Sequence, residues 1–82
     1  MTTSEISDKI HDILSEQLGL NKPEIDPDKT WEDHTADSLD EVEIVMAIEK
    51  EFSLQIEDED AERLAKMPIN EGVLWIEAQL SQ

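Results

Sequence analysis

Ile6, Ile10, Ile13, Leu14 and Leu18 fall at i, i+4, i+7, i+8 and i+12, among Asp8, Lys9, Asp12 and Glu16. That spacing puts the apolar residues on one stripe of an amphipathic helix and fits no strand alternation. Thr3 or Ser4 is placed to cap its start, and Gly19 stands where a left-handed residue would end it. The stripe decides a question that composition leaves open. With 22 Asp+Glu against 6 Lys+Arg, a net charge of -16 and only 4% aromatic residues, the chain has the usual profile of a disordered segment. Patterned apolar residues inside that charge predict instead a solvated surface around a core of Ile, Leu, Val, Met and Ala. The 82 residues suit one small domain spanning 1–82, too short for a two-lobed enzyme with a deep cleft.

The charge also sorts partners. A strongly acidic surface repels phosphate backbones and anionic lipid, so neither nucleic-acid binding nor polybasic membrane attachment is expected. Partners with a basic patch are favoured. The absence of cysteine removes disulfides, thiolate metal sites and cysteine nucleophiles. No apolar run approaches the ~20 residues of a membrane span. Met1 to Ile6 carries no basic flank with an apolar stretch, so no secretory signal is visible and the cytosol is the expected compartment.

Beyond Gly19 the residues from Leu20 to Asp37 show little regular pattern and include Pro23 and Pro27. They read as a long loop, anchored on the helices by Leu20, Ile25 and Trp31. A second helix should begin at Ser38, where Ser38-Leu39-Asp40-Glu41 fits the S-x-x-E capping box, and run to about Phe52 or Ser53. A short acidic helix is expected over Asp58 to Ala65. Pro68 suits the first turn of a last helix, with Ile69, Val73, Ile76 and Leu80 at i, i+4, i+7 and i+11; Gly72 weakens that helix somewhat. The fold class is therefore all-α: a small four-helix bundle, its third helix short, with a long loop between helices one and two.

The second helix carries more apolar surface than one core contact uses. With Leu39 at 0°, Ile44, Val45, Ile48 and Phe52 fall between about 140° and 240°, a normal core stripe. Leu39, Val42 and Met46 fall between about 300° and 0°, and Glu49 separates the two stripes at about 280°. Two neighbouring helices could bury both. Alternatively the second stripe stays exposed as a docking ridge flanked by Asp37, Asp40, Glu41, Glu43, Glu49 and Glu51, where charge steers encounter and apolar contacts select.

Catalytic and metal sites find little support. His34, Asp37 and Ser38 include the residue types of a hydrolase triad, but such triads are assembled from distant segments, and Ala36-Asp37-Ser38-Leu39-Asp40 lacks the glycines of a nucleophile elbow. Asp26, Asp28, Thr30 and Asp37 fall at positions one, three, five and twelve of a twelve-residue loop, yet Trp31 occupies the place an EF-hand gives to glycine and the bidentate glutamate is missing. His34 has no second ligand at metal-binding spacing, His11 lies on the polar side of the first helix, and no metal site is expected. Trp31 and Trp75 read as packing residues. Ser38 admits two readings. It is a helix cap, or it is a handle at a helix amino terminus, where the positive dipole end tolerates an attached phosphate.

The stretch Ala36-Asp37-Ser38-Leu39-Asp40-Glu41-Val42-Glu43-Ile44-Val45-Met46-Ala47-Ile48-Glu49-Lys50-Glu51-Phe52 resembles the recognition helix of bacterial-type acyl carrier proteins of fatty acid synthesis. The likeness continues through Ile56 to Leu64 and shows in Glu16-Gln17-Leu18-Gly19. It implies that Ser38 bears 4′-phosphopantetheine, added from coenzyme A by a separate phosphopantetheinyl transferase using magnesium. The arm's thiol would hold acyl chains as thioesters, supplying the sulfur chemistry the chain lacks. It further implies that the bundle shelters the acyl chain and that Asp37, Leu39, Asp40, Val42, Glu43, Met46 and Glu49 dock on acyl-processing enzymes with basic patches. The chain would then be a monomeric, noncatalytic carrier without stable membrane insertion. Where the family usually has Leu-Gly before Ala-Asp-Ser, this chain has His34-Thr35. A carrier for polyketide, peptidyl or other specialised assembly shares the serine and differs in partners. A noncatalytic acidic interaction module would use Ser38 only as a cap.

Overall fold

The computed structural model describes residues 1–34 and 37–81. Among them the elements are α1 (Thr3–Leu18), a 3-10 turn (Lys22–Glu24), α2 (Trp31–His34), α3 (Ser38–Phe52), α4 (Asp58–Lys66) and α5 (Ile69–Leu80), with no strand. The all-α bundle expected from periodicity is present. The loop between the first two long helices holds, in addition, the 3-10 turn and the one-turn α2.

α1 packs against both α3 and α5. Its stripe supplies Ile6, Ile10, Ile13 and Leu14 to the core, where they meet Ile44, Ile48 and Phe52 of α3 and Ile69, Val73 and Ile76 of α5. The cap of α1 lies one residue earlier than the sequence suggested. Thr2 Oγ1 accepts the Glu5 N–H at 3.1 Å and Glu5 Oε1 accepts the Thr2 N–H at 2.9 Å, a reciprocal pair that neither Thr3 nor Ser4 could make with a glutamate three residues on. Gly19 ends the helix at φ 68°, its N–H donating to Ser15 O. His11, although on the polar side of the helix, is half-buried, and its Nε2 is buried without a hydrogen-bond partner among the described residues. Burial pushes its pKa down, Lys22 and His34 add to this, and Asp8 and Asp12 oppose it.

The loop anchors behave as expected. Trp31 and Ile25 are buried and Leu20 packs half-buried against the core. α2 is closed at its start by Thr30 and Asp33, each accepting the other's backbone N–H at 3.1 Å. At its end, His34 Nε2 accepts the Asp26 N–H at 3.0 Å, while Nδ1 lies 2.9 Å from Thr30 O. Nε2 is thus the acceptor, and Nδ1 carries the ring proton donated to Thr30 O. His34 therefore ties the loop by hydrogen bonds at the position where the resembling family has an apolar side chain; Thr35 lies outside the described residues. The loop also starts α5. Ile69 N–H donates to Lys29 O at 2.9 Å and Asn70 N–H to Pro27 O at 3.1 Å, satisfying first-turn donors that Pro68, at the N-cap and without a side-chain acceptor, leaves open.

Candidate functional site

Ser38 is the first residue of α3 and is exposed. The expected capping box does not form there, because Asp37 is the N-cap and its Oδ1 accepts the Leu39 N–H at 2.7 Å. A carboxylate at this place answers both the orphan donors and the positive end of the helix dipole better than a neutral hydroxyl. The Ser38 side chain is consequently released from capping, and no hydrogen bond holds it among the described residues. An uncommitted hydroxyl on the first turn of a 15-residue helix is a suitable place for a phosphodiester, whose charge the helix end favours and whose bulk needs no burial.

The two stripes of α3 separate as their angles require. Ile44, Ile48 and Phe52 are buried and Val45 is half-buried. Leu39, Val42 and Met46 remain 61%, 54% and 60% exposed, so no neighbouring helix covers them. Asp37 and Glu43 are exposed beside this ridge and Asp40 is half-buried. Glu49 differs from the others expected to dock. It is half-buried, and its Oε2 accepts the Ile56 N–H at 2.8 Å. That bond, and not its angle beside Val42, ties its carboxylate to the turn between α3 and α4.

Between α3 and α4 runs a groove of about 720 Å³, within the range of small-ligand clefts. Ser38 lies on its lining; Val42, Val45 and Met46 form one wall, Ala61 and Ala65 the other, and Ile56 contributes from the connecting turn. The two alanines, four residues apart, face the same way on α4, and their short side chains leave the space open. Sequence reading placed the short helix but missed its part in the groove; the small-residue pair at i, i+4 was the available signal.

Glu32, Glu41 and Lys66 add polar groups to the same lining. One carboxyl oxygen of Glu41 is buried with no hydrogen-bond partner among the described residues. Burial raises the Glu41 pKa from its ordinary 4.5; the charge of Glu32 and a hydrogen bond shared with it act the same way, and Lys66 opposes them. Glu5 and Asp33 move in the opposite direction, held down chiefly by backbone hydrogen bonds at Thr2 and Thr30. Among the described residues no group of three or more His, Asp or Glu is arranged to hold a metal ion. The Asp26 to Asp37 stretch, tested above as a calcium loop, is interrupted by α2. No helix of the described residues is long and apolar enough to cross a membrane.

Residues 8–65 match the domain family described as the phosphopantetheine attachment site. The chain belongs to the acyl carrier protein family. It is 49% identical over 65 residues to an acyl carrier protein of Chlorobium phaeovibrioides, covering 78% of this chain and 83% of that one. An acyl carrier protein of Chlorobium luteolum matches to the same degree. One from Cyanidioschyzon merolae is 49% identical over 65 residues, covering 78% of this chain and 71% of its own length. The cofactor of the matched domain is 4′-phosphopantetheine, and the carriage of acyl groups on that arm is the role of this chain. An acyl carrier needs a hydroxyl free to be esterified and an apolar space within reach of it. Both are in the geometry described.

Proposed function

We propose that Ser38 is the residue esterified by 4′-phosphopantetheine and that the chain, acting as one unit over 1–82, shuttles acyl intermediates between the enzymes of fatty acid synthesis. The observation that carries this reading is the exposed Ser38 hydroxyl, freed by the Asp37 cap, inside the matched segment and on the lining of an apolar groove. When bound, the arm supplies a thiol that holds the acyl group as a thioester. The protein's own residues do the rest. Asp37 keeps the first turn closed while Ser38 Oγ stays accessible to a magnesium-dependent phosphopantetheinyl transferase, which takes up the serine proton as Oγ bonds to the pantetheine-side phosphorus of coenzyme A and the diphosphate bond breaks, adenosine 3′,5′-bisphosphate leaving. Val45, Ala61 and Ala65, with Val42 and Met46 at the exposed rim, give the acyl chain an apolar wall.

The exposed ridge of Leu39, Val42 and Met46, with Asp37, Asp40 and Glu43 beside it, docks on enzymes that present a basic patch around an apolar pocket. The charge steers encounter, and the modest apolar area keeps docking reversible. The chain itself catalyses nothing. It lends reach and address to its cargo as a monomer in the cytosol.

Incubation with coenzyme A, magnesium and a phosphopantetheinyl transferase should raise the intact mass by one phosphopantetheine, and Ser38→Ala should abolish the gain. Protein that stays unmodified with several transferases refutes the assignment.

A further inference from the structure

Along α3 the groove lining runs from Ser38 through Val42 and Val45 to Glu49, and at 1.5 Å rise per residue that wall is about 16 Å long. Ile56 also lines the groove, and its N–H is held by Glu49, the lining residue of α3 furthest along the helix from Ser38. Glu49 does more than accept one bond. Its backbone carbonyl oxygen also accepts the N–H groups of Ser53 and Leu54, the latter at 3.0 Å. Three donors of the turn between α3 and α4 thus converge on one residue. The turn needs them: Ser53 sits at φ 54°, a left-handed conformation costly for a residue with a Cβ, and Glu57 offers no side-chain cap to α4. Ile56 is buried, so its N–H would be an orphan in the protein interior if the Glu49 carboxylate were removed.

We propose that Glu49 is a positioning residue that fixes Ile56 as the end wall of the groove, and so sets the length of acyl chain the carrier shelters. This rests on the reading of Ser38 as the arm-bearing residue and of the groove as the seat of the cargo. The thioester reaches the groove on its arm and not at Ser38 itself, so what counts is the room left before Ile56: an acyl chain too long for it meets Ile56 and leaves its thioester nearer to solvent, and a shorter one never reaches it. A docking role for Glu49 would behave differently, changing encounter with enzymes whatever the cargo.

The test loads Ser38 of the full chain with acyl arms from hexanoyl to tetradecanoyl, and follows thioester cleavage by hydroxylamine. For Glu49→Ala, cleavage of the longest acyl groups should slow several-fold because the end wall yields, with the shortest unchanged. Glu49→Gln should match the parent, since its amide oxygen can still accept the Ile56 N–H. Ile56→Ala should reproduce the shift toward longer chains with Glu49 intact, and decides the matter should Glu49→Ala fail to fold. A length profile identical to the parent in Glu49→Ala or in Ile56→Ala overturns the proposal, as does a change of equal size at every length. Failure to load at all is seen first, by mass, and overturns the Ser38 reading together with this one.

Discussion

Asp37 takes the Leu39 N–H at 2.7 Å, and in doing so leaves the hydroxyl of Ser38 out of the capping of α3. Removing the cap should therefore cost stability where removing the hydroxyl does not. Asp37→Ala is expected to lose about 1 kcal/mol, and Ser38→Ala to stay within about 0.5 kcal/mol of the parent. Urea denaturation of both variants measures the difference. Equal losses would mean that the serine carries capping energy after all.

The exposed stripe and the buried stripe of α3 should respond oppositely to truncation. Leu39→Ala, Val42→Ala or Met46→Ala is expected to change stability by no more than about 0.5 kcal/mol while lowering kcat/KM of an acyl-processing enzyme acting on the loaded carrier. Ile48→Ala, at a fully buried position, should cost about 2–5 kcal/mol. Denaturation and enzyme kinetics on the same variants separate the two effects. Unchanged kinetics in all the ridge variants would remove the ridge from docking.

Glu41 links the groove to acidity. Its pKa is raised from 4.5 in the folded chain, so the folded state binds that proton more tightly than the unfolded one. Its contribution is complete below the ordinary value and is lost as pH rises through the raised one. Mutual repulsion within a net charge of -16 acts in the same sense. Glu5 and Asp33, lowered by their hydrogen bonds, oppose it only as pH falls through their depressed values. Thermal stability should therefore rise from about pH 7 toward about pH 5. Glu41→Gln should show a smaller rise, and added salt should reduce the slope in both proteins. A melting temperature flat over that range, or one unaltered by the substitution, contradicts the argument.

Gly72 lies inside α5 with an ordinary helical backbone, and a Cβ there would meet Leu64 Cδ2 at 3.6 Å, a normal contact. Gly72→Ala should accordingly stabilise the chain by about 0.5–1 kcal/mol through the unfolded state's lost freedom. Gly19→Ala, at φ 68°, should destabilise it. Paired denaturation curves check both signs.

The long helices were legible because each repeats its apolar spacing over three turns or more, and Ile6 to Leu18 or Ile69 to Leu80 leave no other reading. α2 was not, since four residues are too few to show a period, and what holds it is the Thr30–Asp33 pair and the His34 bond to Asp26. The cap of α3 was misplaced by one residue because Asp37 and Ser38 both favour that position, and only the carboxylate's bond to Leu39 N–H separates them. Two stripes on α3 were visible from their angles, whereas their burial depended on where α1 and α4 pass. Glu49 shows the same boundary: its angle was known, but a side chain between two stripes can face either way until the turn at Ile56 claims it.

The last helix takes its first two acceptors, Lys29 O and Pro27 O, from a segment that precedes Ser38 in the chain. Shortening that segment, or inserting residues into it, would strip α5 of its opening bonds as well as disturb the approach to the serine. Hydrogen exchange at the Ile69 and Asn70 amides thereby becomes a remote gauge of the segment leading to the proposed attachment residue, readable without labelling an arm.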